Sequence, residues 1–509
     1  MTESRRDFLK KSGCALSMVA LATQMQHLGS ISAMAQKVID SDGAPPTDYK
    51  ALVCLYWAGG NDGNNMVIPN HNDATISNYT AYFNARNPQG LAIPQAQLLP
   101  ISVPRLGGLT YGLHPNFGPL TQNGTTIVNN GLHELWAQGK LGIVTNVGNL
   151  VRPLTKAQYL SSQFQKPYQL FSHSDQVTQS QTSVANTQVF TGWGGRISDR
   201  MTAGNNPNGL IPMVTSISGA QLFTAGQSTL PMAIAGAEND NNPATNNLTT
   251  VLNPAGFGTN PTGSTLDRLN AFNALRLQDL SSNFIKEASH VTDLAMTANS
   301  ALASSQDVGV QFPLTSIGLQ LKQVARLIKS RTTLSINRQI FYVQIGGFDS
   351  HTNQPAQHVN LFTQVSQAMR AFYAEMEAQS MQNQVTLFTL SDFGRTLNPA
   401  GTGTAVGTDH AWGNHMFVMG GAVQGGDFYG SLRPDGSGNY YPTLVMGTSG
   451  PDDTDNNASG RGRWIPTTSV DQYAVQLARW FGLAPGDEPS VFPNLVNFPG
   501  TFSQLNFLV

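Results

Sequence analysis

Six short apolar runs punctuate the chain: Leu52–Trp57, Leu141–Val147, Ile211–Ile217, Ile340–Ile345, Val385–Leu390 and His415–Met419. Several are apolar throughout rather than alternating, the pattern of strands buried on both faces of a parallel sheet. Other segments carry helical spacing. One runs from Leu266 to about Ser300, with Leu269, Phe272, Leu275, Leu280 and Phe284 on one stripe; Ile317–Ile328, Val359–Met376 and Val470–Phe481 follow. Strands alternating with helices predict an α/β layered fold. Stretches near 236–263 and 447–462 are rich in Asn, Pro, Gly and Thr and are expected to be irregular surface insertions. With no internal repeat or linker, residues 36–509 are expected to form one large domain.

The first 35 residues follow a different pattern. Ser4-Arg5-Arg6-Asp7-Phe8-Leu9-Lys10 has the paired arginines and spacing of a twin-arginine signal, followed by an apolar stretch from Cys14 to Ala22 and the cleavage signal Ala33-Met34-Ala35. The apolar stretch falls well short of the ~20 residues that a spanning helix needs. The expectation is therefore a folded cargo handed to the twin-arginine translocase and released to the periplasm or outside the cell, with its mature chain starting near Gln36. Later apolar runs are also too short to cross a bilayer.

Composition narrows the picture. Loss of the signal removes four basic and two acidic residues, taking the formal charge from −2 to −4. Mild acidity spread over a long chain argues against nucleic-acid binding, which needs a basic footprint. Only Cys54 remains, so no internal disulfide is available, and its apolar surroundings predict a buried core thiol. Charged residues make up only 11% of a chain that is 40% hydrophobic, so it reads as globular with many uncharged polar loops. No haem-attachment motif or dinucleotide fingerprint supports an exported oxidoreductase.

Four motifs lie at the ends of apolar runs, where α/β sheets gather their ligands. Gly59-Gly60-Asn61-Asp62-Gly63 follows the first run and offers Asp62 on a glycine-rich turn. Gly346-Gly347-Phe348-Asp349-Ser350-His351 places a carboxylate and an imidazole within reach of one divalent cation, with His358 in reserve. Ser391-Asp392-Phe393-Gly394-Arg395 adds Asp392, and an arginine suited to gripping a tetrahedral oxyanion. Thr408-Asp409-His410, just before the last run, supplies His410 as a ligand; Asp409 either binds the ion or holds His410 by its other ring nitrogen. Each motif alone also fits a capping or turn role. Together they predict a metal site, the metal being Zn, Ca, Mg or Mn.

These motifs, with Gly420–Gly426 and the stretch Arg463–Gly482, resemble a large bacterial family of twin-arginine-exported proteins of unknown function, grouped by fold with the alkaline phosphatase and sulfatase superfamily. The resemblance implies a three-layer fold, with a mostly parallel central sheet between helices on both faces. It also implies Asp62, Asp349, His351, Asp392 and His410 as ligands of one or two ions flanking a Ser or Thr nucleophile. Two departures stand out. Phe393 occupies the place of a superfamily histidine, which costs the second metal a ligand. No cysteine lies in the candidate nucleophile region Phe171–Asp175, where Ser172 or Ser174 either attacks or only caps a helix, His173 is a general acid or base or a buried polar residue, and Arg395 would stabilise the oxyanion. The function so implied is hydrolysis of phosphate or sulfate esters of a small molecule or glycan. The alternative is a non-catalytic exported binding protein with a degenerate site.

Overall fold

The computed structural model describes residues 48–237, 262–276 and 307–509 apart from 123–124, 129–130, 499 and 501–502, together with residue 297. The signal segment, the greater part of the 236–263 insertion and the end of the Leu266–Ser300 helix lie outside the described residues; the last is described as a helix over Gly263–Arg276.

The apolar runs became the strands of one large sheet. In chain order these are β1 (Lys50–Trp57), β2 (Leu141–Gly148), β3 (Val214–Ser216), β4 (Met232–Ala233), β5 (Arg338–Ile345), β6 (Val385–Ser391), β7 (Asn414–Gly420), β8 (Phe428–Tyr429) and β9 (Thr468–Ser469). Their spatial order is β8-β2-β7-β6-β1-β5-β3-β4, with β9 also pairing β2. All pairings are parallel except those of β7, which runs antiparallel to both β6 and β2. The result is a mixed α/β architecture with a mostly parallel sheet.

Alternation along each strand divides the core in two. On β1, Ala51, Val53, Leu55 and Trp57 pack with the helices α3 (Ser316–Lys329) and α4 (Gln354–Ala378). Leu52, Cys54 and Tyr56 face the other way, onto α2 (Trp193–Asn205) and α5 (Val470–Phe481). Both faces of β1 are dry, which is why its sequence shows no polar alternation. Cys54 is fully buried and its thiol pKa is pushed well up by that burial. A second small sheet, Val67–Pro69, Leu99–Val103 and Leu109–Leu113, has no counterpart in the hydrophobic pattern because its strands are short and interrupted by proline and glycine.

The topology positions the site. Strands β1, β5 and β6 are parallel, so the turns after Trp57, Ile345 and Ser391 emerge at one edge of the sheet. Because β7 runs the opposite way, the segment preceding it, with His410, arrives at that same edge. Gly59 has φ +113°, and a Cβ there would lie 2.4 Å from the Asp349 backbone nitrogen, so the first two turns nest only if this residue is glycine. Gly60 backs onto the Phe393 ring in the same manner.

Candidate metal centre

Two loops and one helix start bring the donors together. His173 opens the helix α1 (His173–Thr182), Asp349 and His351 follow β5, and His410 precedes β7. One ligand atom each from His173, Asp349 and His410 lies within 4.8 Å of the others. His410 Nε2 stands 3.0 Å from His173 Nε2, 3.1 Å from His351 Nε2 and 3.5 Å from Asp349 Oδ1. Asp349 Oδ1 is also 3.3 Å from His173 Nε2 and 3.1 Å from His351 Nε2. Two donors bonded to one ion at ~2.0–2.1 Å sit roughly 2.8–3.4 Å apart for angles between a right angle and a tetrahedral one, so the spacing suits a shared cation.

The ring nitrogens strengthen that reading. His173 Nδ1 donates to Asp392 Oδ2 at 2.7 Å, His410 Nδ1 to the Phe171 carbonyl at 2.7 Å and His351 Nδ1 to Asp409 Oδ1 at 3.3 Å. Each acceptor is an oxygen without a proton, so each neutral ring carries its hydrogen on Nδ1 and turns a bare Nε2 lone pair inward. Three lone pairs and a carboxylate then converge with no hydrogen between them. A single proton on His410 Nε2 could satisfy only one of its two imidazole neighbours, whereas a cation held by His173, Asp349 and His410 satisfies those three together, with His351 at the margin of the group. The donor set fits a divalent metal of the kind that accepts imidazole and carboxylate.

Surrounding charges hold the donors in place. Burial opposes ionisation of Asp349, but the hydrogen bond and charge of Arg395 outweigh it and keep its pKa below the usual carboxylate range. The Asp392 hydrogen bond raises the pKa of His173, while burial lowers that of His410. Burial likewise opposes ionisation of Asp409, and Arg461 overcomes it through an ion pair. Phe171, whose carbonyl orients His410, is held at φ +69°, a left-handed conformation that costs a non-glycine residue roughly 1–3 kcal/mol.

Several residues occupy different positions from those expected. Asp62 is not in the cluster; its carboxylate is fully buried and gripped by Arg86 through contacts of 2.5 and 2.9 Å, with Gln354 Nε2 donating at 2.6 Å. Burial alone would raise the pKa of Asp62, but Arg86 holds it low. Asp392 and Asp409 contact histidines rather than the shared centre, and Asp409 orients His351, not His410. Arg395 is fully buried behind Asp349, its Nη2 at 2.6 Å from Oδ1, so it positions a donor. His358 is buried against Phe362, with its pKa lowered to about 4 by that burial, and stays neutral in the core. Ser172 Oγ donates to Asp175 Oδ2 at 2.6 Å and shares a hydrogen bond with Ser174 at 3.1 Å. Among the described residues neither serine is hydrogen-bonded to the donor set.

The sequence points to His173 as a general acid or base or as a buried polar residue, whereas the structure places it among the donors that could hold an ion. The Phe393 ring packs at 4.7 Å from His173 and 4.8 Å from His410, and His173 contributes an imidazole from the helix start. If Asp392 acts by fixing His173, Asp392→Asn should weaken cation binding by roughly 10–100-fold, the usual cost of losing an outer carboxylate, while leaving the melting temperature of the metal-free protein nearly unchanged. Competition with a coloured chelator measures both variants.

Comparison with known proteins gives a family but no activity. No curated protein matches the chain. Two solved structures align at low similarity. One is Ps i-CgsB in complex with k-i-k-neocarrahexaose, 7% identical over 75% of this chain and 69% of that one, with a TM-score of 0.29. The other is the PsFucS1 sulfatase from Pseudoalteromonas sp., 9% identical over 79% and 68%, with a TM-score of 0.28. At such scores neither bears on the fold or chemistry of this chain. The profile described as "Protein of unknown function (DUF1501)" matches residues 49–443, well over half of the sequence, and the chain belongs to that family.

Proposed function

We propose that this chain is an exported, metal-dependent hydrolase of phosphate or sulfate esters, with a fold of the alkaline phosphatase and sulfatase type. His173, His351, His410 and Asp349 carry the reading, the first, third and fourth of these forming one group that could hold an ion and His351 lying beside it. Their side chains retain 32%, 45%, 26% and 48% of their exposure, so the cluster is open on one side. A structural site is normally closed by its protein ligands, whereas a catalytic one keeps a face for water and substrate. A divalent cation held there would supply Lewis acidity at an ester oxygen. The protein's own part is to orient: Asp392, the Phe171 carbonyl and Asp409 fix the three rings, and Arg395 fixes the carboxylate. The twin-arginine segment supports loading and folding before export.

Water is the nucleophile in this reading, since the Ser172 and Ser174 hydroxyls are turned to Asp175. A Ser172→Ala/Ser174→Ala double variant is therefore expected to keep turnover within about threefold; a loss of the order of a thousandfold would make one of them the attacking group. The broader test is hydrolysis of 4-nitrophenyl phosphate and sulfate by the mature protein. Turnover should vanish with a chelator and return on adding Zn, Mn, Mg or Ca.

One observation favours a second reading, an exported binding protein. Phe393 fills the position that the resemblance gives to a ligand, and among the described residues no hydroxyl nucleophile is bonded to the centre. Under that reading the protein retains its metal but hydrolyses neither ester after reloading.

A further inference from the structure

Beside the metal centre lies a surface of a different kind. Tyr159, Phe164, Leu170 and Phe171 are partly buried against one apolar cluster that includes Leu150, Trp412 and Ile465. Three of these side chains carry a cation over the ring: Lys166 Nζ at 4.9 Å from Tyr159, Arg152 at 5.8 Å from Phe164 and Arg463 at 5.1 Å from Phe171. Such pairs occur about once per 70–80 residues, so three on a single patch is a local concentration.

The charge is one-sided. Residues 150–171 contain Arg152, Lys156 and Lys166 and no acidic residue, in a chain of net −2. Lys156 is consumed by the backbone, donating to the Gly450 and Asp455 carbonyls at 2.9 and 2.7 Å. Arg463 approaches Asp455 at 3.4 Å. Neither Arg152 nor Lys166 has a carboxylate partner among the described residues, and Asp175, the nearby acid on α1, is occupied by Ser172. Both cations are thus held by aromatic rings, which fix their position without neutralising them. The shelf adjoins the centre directly, because the Phe171 carbonyl accepts the hydrogen bond of His410.

We propose that this aromatic shelf binds the remainder of a polyanionic glycan, a chain carrying several sulfate or phosphate esters, one of which reaches the metal centre. The inference rests on the ester-hydrolase reading for the last step but not for binding. A substrate with a single ester would need no further cations. Repeated ester anions meet Arg152 and Lys166, and Arg463 secures the end next to the centre. The overall negative charge of the protein confines such binding to this patch and disfavours nucleic acid.

Dextran sulfate and neutral dextran of equal length are the probes, titrated into the mature protein and into an Arg152→Gln/Lys166→Gln variant whose melting temperature confirms folding. Dextran sulfate should bind with an affinity that falls as salt rises, neutral dextran should not, and the double variant should lose roughly tenfold or more. An Arg152→Lys variant should retain most of the affinity. The proposal is overturned if the double variant binds dextran sulfate as tightly as the parent, if neutral dextran binds equally well, or if single-stranded DNA binds more tightly than either. Repeating the titration with Asp349→Ala separates the two readings: shelf binding should persist there while turnover of the small aryl esters is lost. If that variant still hydrolyses aryl esters, the metal reading fails and the shelf stands on its own binding data.

Discussion

Replacing His410 with alanine is expected to weaken divalent-cation binding by more than about 100-fold, beyond the cost of losing an outer-shell partner. His410 Nε2 is the hub of the cluster, lying 3.0, 3.1 and 3.5 Å from the other three donor atoms. Its removal leaves His173 and His351 without the ring that both approach. The Phe171 carbonyl also loses its imidazole partner. Competition titration against a chelator of known affinity provides the measurement, with the melting temperature of the metal-free variant as the control for folding. Unchanged affinity in a folded His410→Ala protein would place the cation elsewhere. Esterase activity should fall with metal content and should not be restored by raising the metal concentration within the range that saturates the parent.

The largest effect on stability is expected at Arg86, which makes no hydrogen bond to a proposed ligand. Arg86 and Asp62 are both fully buried and joined by two hydrogen bonds, and Arg86 also donates to the backbone carbonyls of Thr396 and Leu397 at 3.0 Å. Arg86→Ala strands the Asp62 charge in the core, which costs about 3–5 kcal/mol, a large share of the 5–15 kcal/mol that holds a domain together. Urea unfolding should show the loss, and a paired Asp62→Leu/Arg86→Leu replacement should recover much of it. The pH dependence has a definite sign. The pKa of Asp62 is lower in the folded chain than in the unfolded one, so its contribution is fully present above the unfolded value of about 3.9 and disappears as pH falls through the lower folded value. Asp62→Asn should remove that part of the acid sensitivity and leave the pair weaker at neutral pH.

Asp62 also marks where sequence reasoning reaches its limit. The strands were legible because β1, β5 and β6 are buried on both faces and so are largely apolar. Their ends correctly marked one edge of the sheet as the place where the chemistry-bearing turns meet. What the runs could not show was which carboxylate faces outward. Asp62 sits on a glycine-rich turn that looked suited to a ligand, but Arg86, 24 positions later on a short helix with no strong pattern, draws it inward. Asp392 and Asp409 lie at the expected strand ends but contact the outer nitrogens of His173 and His351, an orientation that no spacing encodes. Phe393 packs against the rings of both His173 and His410, and His173 at the start of α1 supplies an imidazole that no spacing pointed to. The small antiparallel sheet was invisible because strands such as Leu99–Val103 are short and carry proline.

X-ray absorption at the metal edge of the Zn- or Mn-loaded mature protein tests the central claim most directly. Two imidazole ligands and one carboxylate oxygen at ~2.0–2.2 Å are predicted, with the imidazole signal reduced in His173→Ala as well as in His410→Ala. A first shell made of oxygen alone, or an imidazole signal unaffected by either substitution, would contradict the account.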